Sequence, residues 1–224
     1  MIVEKQAKRG SQKWIQIAVN EKSELLNSVV ARALHFKPDE MITWLSPLVQ
    51  DGYQEYFDQK FIKQLGVKLN RRQLSDFWPK RGLNWDALGK TSKGRVLLVE
   101  AKAHIQEMVT SPSKASAKSL IMIKNSLDEV KKYLGVSKDV DWTGWFYQYT
   151  NRLAHLYLLR ELNDLPAELL FLCFINDYDM DGPTSSSHWD GAIEMMEVYL
   201  GLPKNHRLSR YVHHLYLDVQ KLAQ

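Results

Sequence analysis

Residues 84–104 read NWDALGKTSKGRVLLVEAKAH, and the fold turns on how this stretch is taken. Arg95 to Val99 is an apolar strand pattern, yet it runs straight into Glu100 and Lys102. Upstream, Thr91-Ser92-Lys93-Gly94 has the composition of a hairpin turn. A turn centred on Lys93 sets Asp86 opposite Glu100 on the partner strand. Residues two apart on a strand share a face, and so do residues directly opposite. One register therefore gathers Asp86, Glu100 and Lys102 at one end of a sheet, and a slip of one residue scatters them. Buried charges cost several kcal/mol unless paired or bound. Two carboxylates and an ammonium in one place meet that cost if a hard cation joins them. Mg²⁺, with Mn²⁺ as a substitute, is held by one or two carboxylates with water and substrate phosphate. Lys102 then balances charge and positions or activates a water, which is an inventory for phosphodiester hydrolysis.

The rest of the chain supplies the frame. Leu25, Leu26, Val29, Val30, Ala33 and Leu34 recur at helical spacing over 21–34, with a connection at Phe36 to Asp39. The pattern DGYQEYFDQKFIKQLG predicts another helix stopped by Gly66. A third runs from about Ser116 to Gly135, a fourth over 145–162 and a fifth through HWDGAIEMMEVYLG. AELLFLCFI, residues 167–175, is a continuous apolar run of strand length, as for a strand covered on both faces, and YVHHLYLDV is a final strand. The expectation is a single α/β domain over 1–224: a central mixed sheet flanked by helices, with extra helices at the N-terminal end and the hairpin in its middle.

Composition bounds the function. The 224 residues are 45% hydrophobic and 25% charged, an ordinary globular balance, and the net charge of +4 permits an anionic partner without demanding one. The longest apolar run is too short to span a bilayer, and MIVEKQAKRG lacks the apolar core of a signal peptide. With a single cysteine, Cys173, inside an apolar run, no internal disulfide forms and zinc ligation is disfavoured. A cytoplasmic protein with no membrane contact is expected, and a homodimer is left open.

The motif resembles the PD-(D/E)XK nuclease superfamily, through WDALG followed by VLLVEAKAH. The resemblance implies a restriction-endonuclease-like core of helix, three strands, helix and strand. Its Asp lies on the second core strand and its Glu-x-Lys on the third. The matching positions are Asp86, Glu100 and Lys102, with the Ala101 carbonyl as an extra metal ligand. Trp85 stands where the family's name has proline. Many members also carry a Glu on the first helix, for which Glu24 is the best placed and Glu21 nearly as good. The activity implied is Mg²⁺-dependent cleavage of DNA. A catalytically idle module that binds nucleic acid or a protein partner is the alternative, and a small-molecule phosphohydrolase is a third reading.

Several other residues compete for a role. Acid-x-Lys occurs three times, and Asp58-Gln59-Lys60 and Glu129-Val130-Lys131 fall in helical patterns where positions two apart diverge. Gln148, Arg152 and His155 share one helix face, and a phosphate-contacting or site-ordering role is favoured for Gln148 and Arg152. A Gln-x-x-x-Tyr motif of some relatives is matched only in part, since Arg152 replaces the Tyr. His104 is placed either to line the cleft or to bond backbone at the strand end, and Glu107 either to reach the metal or, more plainly, to serve as a first-turn helix charge. NDYDMDG matches the opening of a calcium-binding loop, but His188 sits where the bidentate Glu belongs, so an acidic loop is expected. His213 and His214 point to opposite faces. Core packing is expected for Trp44, Trp145 and Trp189, while Trp78 and Trp85 flank the motif. Lysines 114, 118, 124, 131 and 132 read as a solvated helix face that could also track a phosphate backbone.

Overall fold

The computed structural model describes residues 6–224. Its centre is the hairpin. Strand β2 (Ala87–Thr91) pairs antiparallel with β3 (Val96–Lys102), matching Ala87 to Val99, Leu88 to Leu98, Gly89 to Leu97 and Lys90 to Val96. The turn closes where Gly94 N donates to the Thr91 carbonyl at 2.9 Å, with Gly94 at φ 83°, a conformation that glycine adopts without strain. Continued by one residue, this register sets Asp86 opposite Glu100.

Strand β1 (Ile42–Ser46) adds antiparallel to β2, and β4 (Ala167–Ile175) and β5 (Val212–Asp218) add parallel beyond β3. The sheet order is β1-β2-β3-β4-β5, an α/β fold with a mixed sheet. Helices cover both faces. On one side α3 (Asp58–Leu65), α4 (Ala117–Leu134), α5 (Tyr147–Arg160) and α6 (Ser186–Tyr199) join Leu98, Leu169, Phe171 and Cys173 in one core. On the other, α1 (Gly10–Asn20), α2 (Ser23–Ala33) and α7 (Val219–Leu222) pack on Leu97, Val99, Leu170, Leu172 and Phe174. That two-sided burial explains the continuous apolar run of β4. Among the described residues, no helix is long and apolar enough to cross a membrane.

Helices α2, α4, α5 and α6 and strands β4 and β5 lie where periodicity places them. Helix α4 begins at Ser116, whose hydroxyl accepts from Ser119 N, and stops at Gly135 in the left-handed conformation. The expected helix over DGYQEYFDQKFIKQLG is a correction. Only Asp58–Leu65 is helical, because Gly52 and Tyr53 turn left-handed and Tyr56 is drawn into an antiparallel bridge with Trp85. Elements α1 and β1 fall where the residue spacing placed no element, although a strand before β2 is what the resemblance implies. Helix α1 starts without a side-chain cap, and β1 is a five-residue edge strand with a register shift between Trp44 and Ser46.

Trp44 and Trp189 are core, but Trp145 is half exposed, and Phe146 is buried instead because its backbone turns left-handed at φ 63°. The other two Acid-x-Lys pairs have structural duties. The Asp58 carboxylate accepts from Arg81 N and Gly82 N, each at 2.8 Å. Lys131 is not a solvated lysine: it is buried and donates to the carbonyls of Lys138 and Val140, both at 2.9 Å.

The acidic loop after β4 docks on the molecule. Trp14 Nε1 donates to Asp177 Oδ2 at 2.7 Å, and a Cβ at Gly182 would lie 2.5 Å from the Ala103 carbonyl oxygen. Glycine is required there for close approach. Gly182→Ala is expected to destabilise the protein by about 1–3 kcal/mol through overpacking against backbone. Urea unfolding measures this, and an unchanged midpoint would refute it.

Candidate active site

The site forms where β2 and β3 leave the sheet toward α5. Glu100 is 1% exposed, so its charge must be met within the protein. Arg152 Nε donates to Glu100 Oε2 at 2.6 Å, and Arg152 Nη2 pairs with the same oxygen. Lys102 Nζ pairs with Glu100 Oε1 and donates to Gln148 Oε1 at 2.7 Å. Burial alone would raise the Glu100 carboxyl, but Arg152 and Lys102 outweigh it and hold it below the usual carboxylate range. Glu100 is a fixed anion.

Asp86 has the opposite environment. Its Oδ2 accepts from Ala101 N at 2.7 Å, and Oδ1 takes no hydrogen bond from the described residues. Burial first, and then the neighbouring Glu100 charge, push its carboxyl up to about 8. Lys102 and Arg152 act the other way, as does the Ala101 N–H. Two adjacent acids are therefore driven apart, one ionised by its partners and one short of positive charge.

Arg152 ties the two together. It is 2% exposed, its Nη2 also donates to the Asn84 carbonyl at 2.6 Å, and its guanidinium lies 4.7 Å from the Trp85 ring centroid. Of the two roles expected for Arg152 and Gln148, the geometry gives both the ordering one, and Arg152 is too buried to meet a phosphate. Trp78 and Trp85 flank the site as expected, but both are buried around His155 and neither offers a face for a base. His155 is held neutral, burial bringing it down to about 4, and its Nδ1 lies 2.8 Å from the Asn151 carbonyl.

The remaining expected residues divide. His104 sits just past β3, where its ring contacts Gln106 and Glu107, and Glu107 Oε2 accepts from Ala103 N at 3.1 Å. Both lie at the rim. Glu24 is exposed in the first turn of α2, and Glu21 is exposed just beyond α1, neither with a contact to the acid pair. The acid that does act on Asp86 is Glu55, whose charge further raises it. The Tyr56–Trp85 bridge brings Glu55 alongside Asp86, and Gln12 on α1 donates to Glu55 Oε1 at 3.3 Å. Nothing in the sequence marks Glu55, because its neighbours mimic helical spacing.

Beside Lys102, Gln148 and Glu100 is a small cavity of about 20 Å³, whose other walls include Met108, Phe171, Ile193 and the His214 ring. Cys173 also lines it, and burial pushes its thiol up to about 12, leaving it inert. His213 and His214 do face opposite ways: His213 meets Glu168 at 3.1 Å, while His214 stacks on Phe171.

Among the described residues, no three or more His, Cys, Asp or Glu side chains group as a metal site. The donor set still fits Mg²⁺, which takes one or two carboxylates and keeps several waters. The free Asp86 Oδ1 and the deficit of positive charge around that carboxyl are what a hard cation satisfies. Neither protein-family models, curated proteins nor solved structures yield a match to this chain.

Two outcomes follow. In EDTA, the folded protein keeps a proton on Asp86 that the unfolded chain has lost, between its ordinary 3.8 and about 8. Stability therefore falls as pH rises across that window. Asp86→Asn should remove this part of the slope and be the more stable protein at pH 8, as read by urea unfolding at pH 5 and pH 8; identical slopes would refute it. Arg152→Leu leaves Glu100 short of a partner and should cost about 3–5 kcal/mol. Arg152→Lys should recover only part, because an ammonium cannot reproduce the guanidinium fork. Full recovery by lysine would show that charge alone matters.

Proposed function

We propose that this chain is a metal-dependent phosphodiester hydrolase, a nuclease acting on DNA, built on a PD-(D/E)XK core. The observation that carries the reading is the pair Asp86 and Glu100 on adjacent strand ends, with Lys102 and Arg152 dividing their electrostatics. The element order supports it in part: helices, then β1, then α3 inserted before β2 and β3, the three strands pairing antiparallel, then helices α4 and α5, then β4 parallel to β3.

In this reading Asp86, Glu100 and the Ala101 carbonyl hold Mg²⁺ or Mn²⁺. The bound cation supplies Lewis-acid polarisation of the phosphate and a more acidic water. The protein's own part is positional. Arg152 keeps Glu100 ionised and in place, and Gln148 fixes the Lys102 side chain between two acceptors. From there the Lys102 ammonium orients a water and offsets negative charge gathering on the phosphate oxygens. Asp86 is driven upward by its surroundings, and a cation held beside it would favour its ionised form by offsetting Glu100 and Glu55.

The test is cleavage. Purified protein is incubated with plasmid, single-stranded DNA and RNA in Mg²⁺, Mn²⁺ or EDTA, alongside Lys102→Ala. The expected result is metal-dependent cutting of DNA that Lys102→Ala reduces about a hundredfold or more. Binding without cutting would make the chain an idle module, and cutting unchanged in Lys102→Ala would place the chemistry elsewhere.

A further inference from the structure

On the far side of Arg152 from Glu100 lies a groove of about 490 Å³ between the Trp78–Leu83 loop, the start of α4 and α5. Among the described residues, no acidic side chain lines it. Lys80, Arg81 and Lys114 do, all exposed and none paired with an acid among the described residues. The first turn of α4 opens into it with Ser116 and Ser119; Ser116 caps the Ser119 N–H, and the helix directs the positive end of its dipole toward the groove. At the inner wall is Asn151, 7% exposed. Its Oδ1 is taken by Arg152 Nη1 at 3.2 Å, and its Nδ2 makes no hydrogen bond with the described residues. That leaves an amide donor at the groove wall, open to whatever occupies the groove.

Cations without counter-charges, a helix N-terminus and an unused donor all ask for the same ligand, an oxyanion. The groove is also coupled to the acid pair, because Arg152 touches Asn151 on one side and Glu100 on the other. We propose that this groove holds the phosphodiester backbone of a DNA strand flanking the cleaved bond. The assignment rests on the nuclease reading for its substrate and adds to it the path the strand takes. Asn151 Nδ2 donates to a phosphate oxygen, the first turn of α4 receives the same or the next phosphate, and Lys80, Arg81 and Lys114 supply the salt-sensitive attraction.

The experiment is equilibrium binding of a labelled single-stranded oligonucleotide to the full chain in EDTA, across a salt series. The triple variant Lys80→Ala, Arg81→Ala, Lys114→Ala is expected to bind at least tenfold more weakly. Its salt-dependence slope should be shallower by about 2, three contacts at roughly 0.7 each. Asn151→Asp keeps the acceptor for Arg152 but replaces the donor with a charged oxygen, and should also bind at least threefold more weakly. Thermal melting checks that each variant is folded. Triple-variant binding within twofold of the parent, at the same slope, overturns the proposal. Circular single-stranded DNA should bind as well as linear 5′-phosphorylated DNA. A strong preference for the linear strand, or its displacement by millimolar inorganic phosphate, would make this a terminal-phosphate site and overturn the backbone assignment. The two readings fail separately. Groove-dependent binding without Mg²⁺-dependent cutting leaves the groove and removes the nuclease, whereas cutting with groove-independent binding does the reverse.

Discussion

A carboxylate at 1% exposure on the central strand of a sheet is the constraint around which this molecule is arranged. Glu100 can be there only if both of its oxygens are met, and it draws its partners from two directions: Lys102 from its own strand and Arg152 from α5. The demand propagates. Arg152 has to be buried too, so it needs the Asn84 carbonyl, the Asn151 amide and the Trp85 ring around its guanidinium. Helix α5 must then lie across the end of β3 at a fixed rotation, which puts Gln148 beside Lys102 and His155 among the tryptophans. Replacing such a cluster with apolar residues of similar size is often neutral or stabilising. Its presence is therefore an argument about chemistry rather than about stability.

The same logic separates the two acids. They sit on neighbouring strand ends, yet the cations are on Glu100's side and Asp86 faces two further negative charges. One carboxyl is saturated with positive partners and the other is starved of them.

What could be read from residue order follows from how local each feature is. The hairpin was legible because a glycine turn and a period of two fix its register without reference to the rest of the chain, and that register carries Asp86 to Glu100. Strand β4 was legible because a nine-residue apolar run is unambiguous in length. The Gln148–Arg152 stripe was visible as polar residues on an otherwise apolar helix, although not which partner each would take. Glu55 was not legible, since its place beside Asp86 depends on a bridge to Trp85 that competes with local helical spacing and wins. Trp145 leaves the core because the left-handed Phe146 shifts the start of α5, and spacing alone does not reveal a backbone reversal. Glu24 failed for a different reason: the helix packed against β3 is α1, not the one that carries it.

The bond from Trp14 to Asp177 spans 163 positions of the chain. It links α1 to the loop that follows β4 and presses on the backbone just past Lys102. Contacts this distant in sequence pay a large loop-closure entropy and form late in folding. During synthesis, α1 must wait for 163 further residues before its tether exists. A nascent chain that already holds the hairpin therefore carries the acid pair before this long-range contact can form.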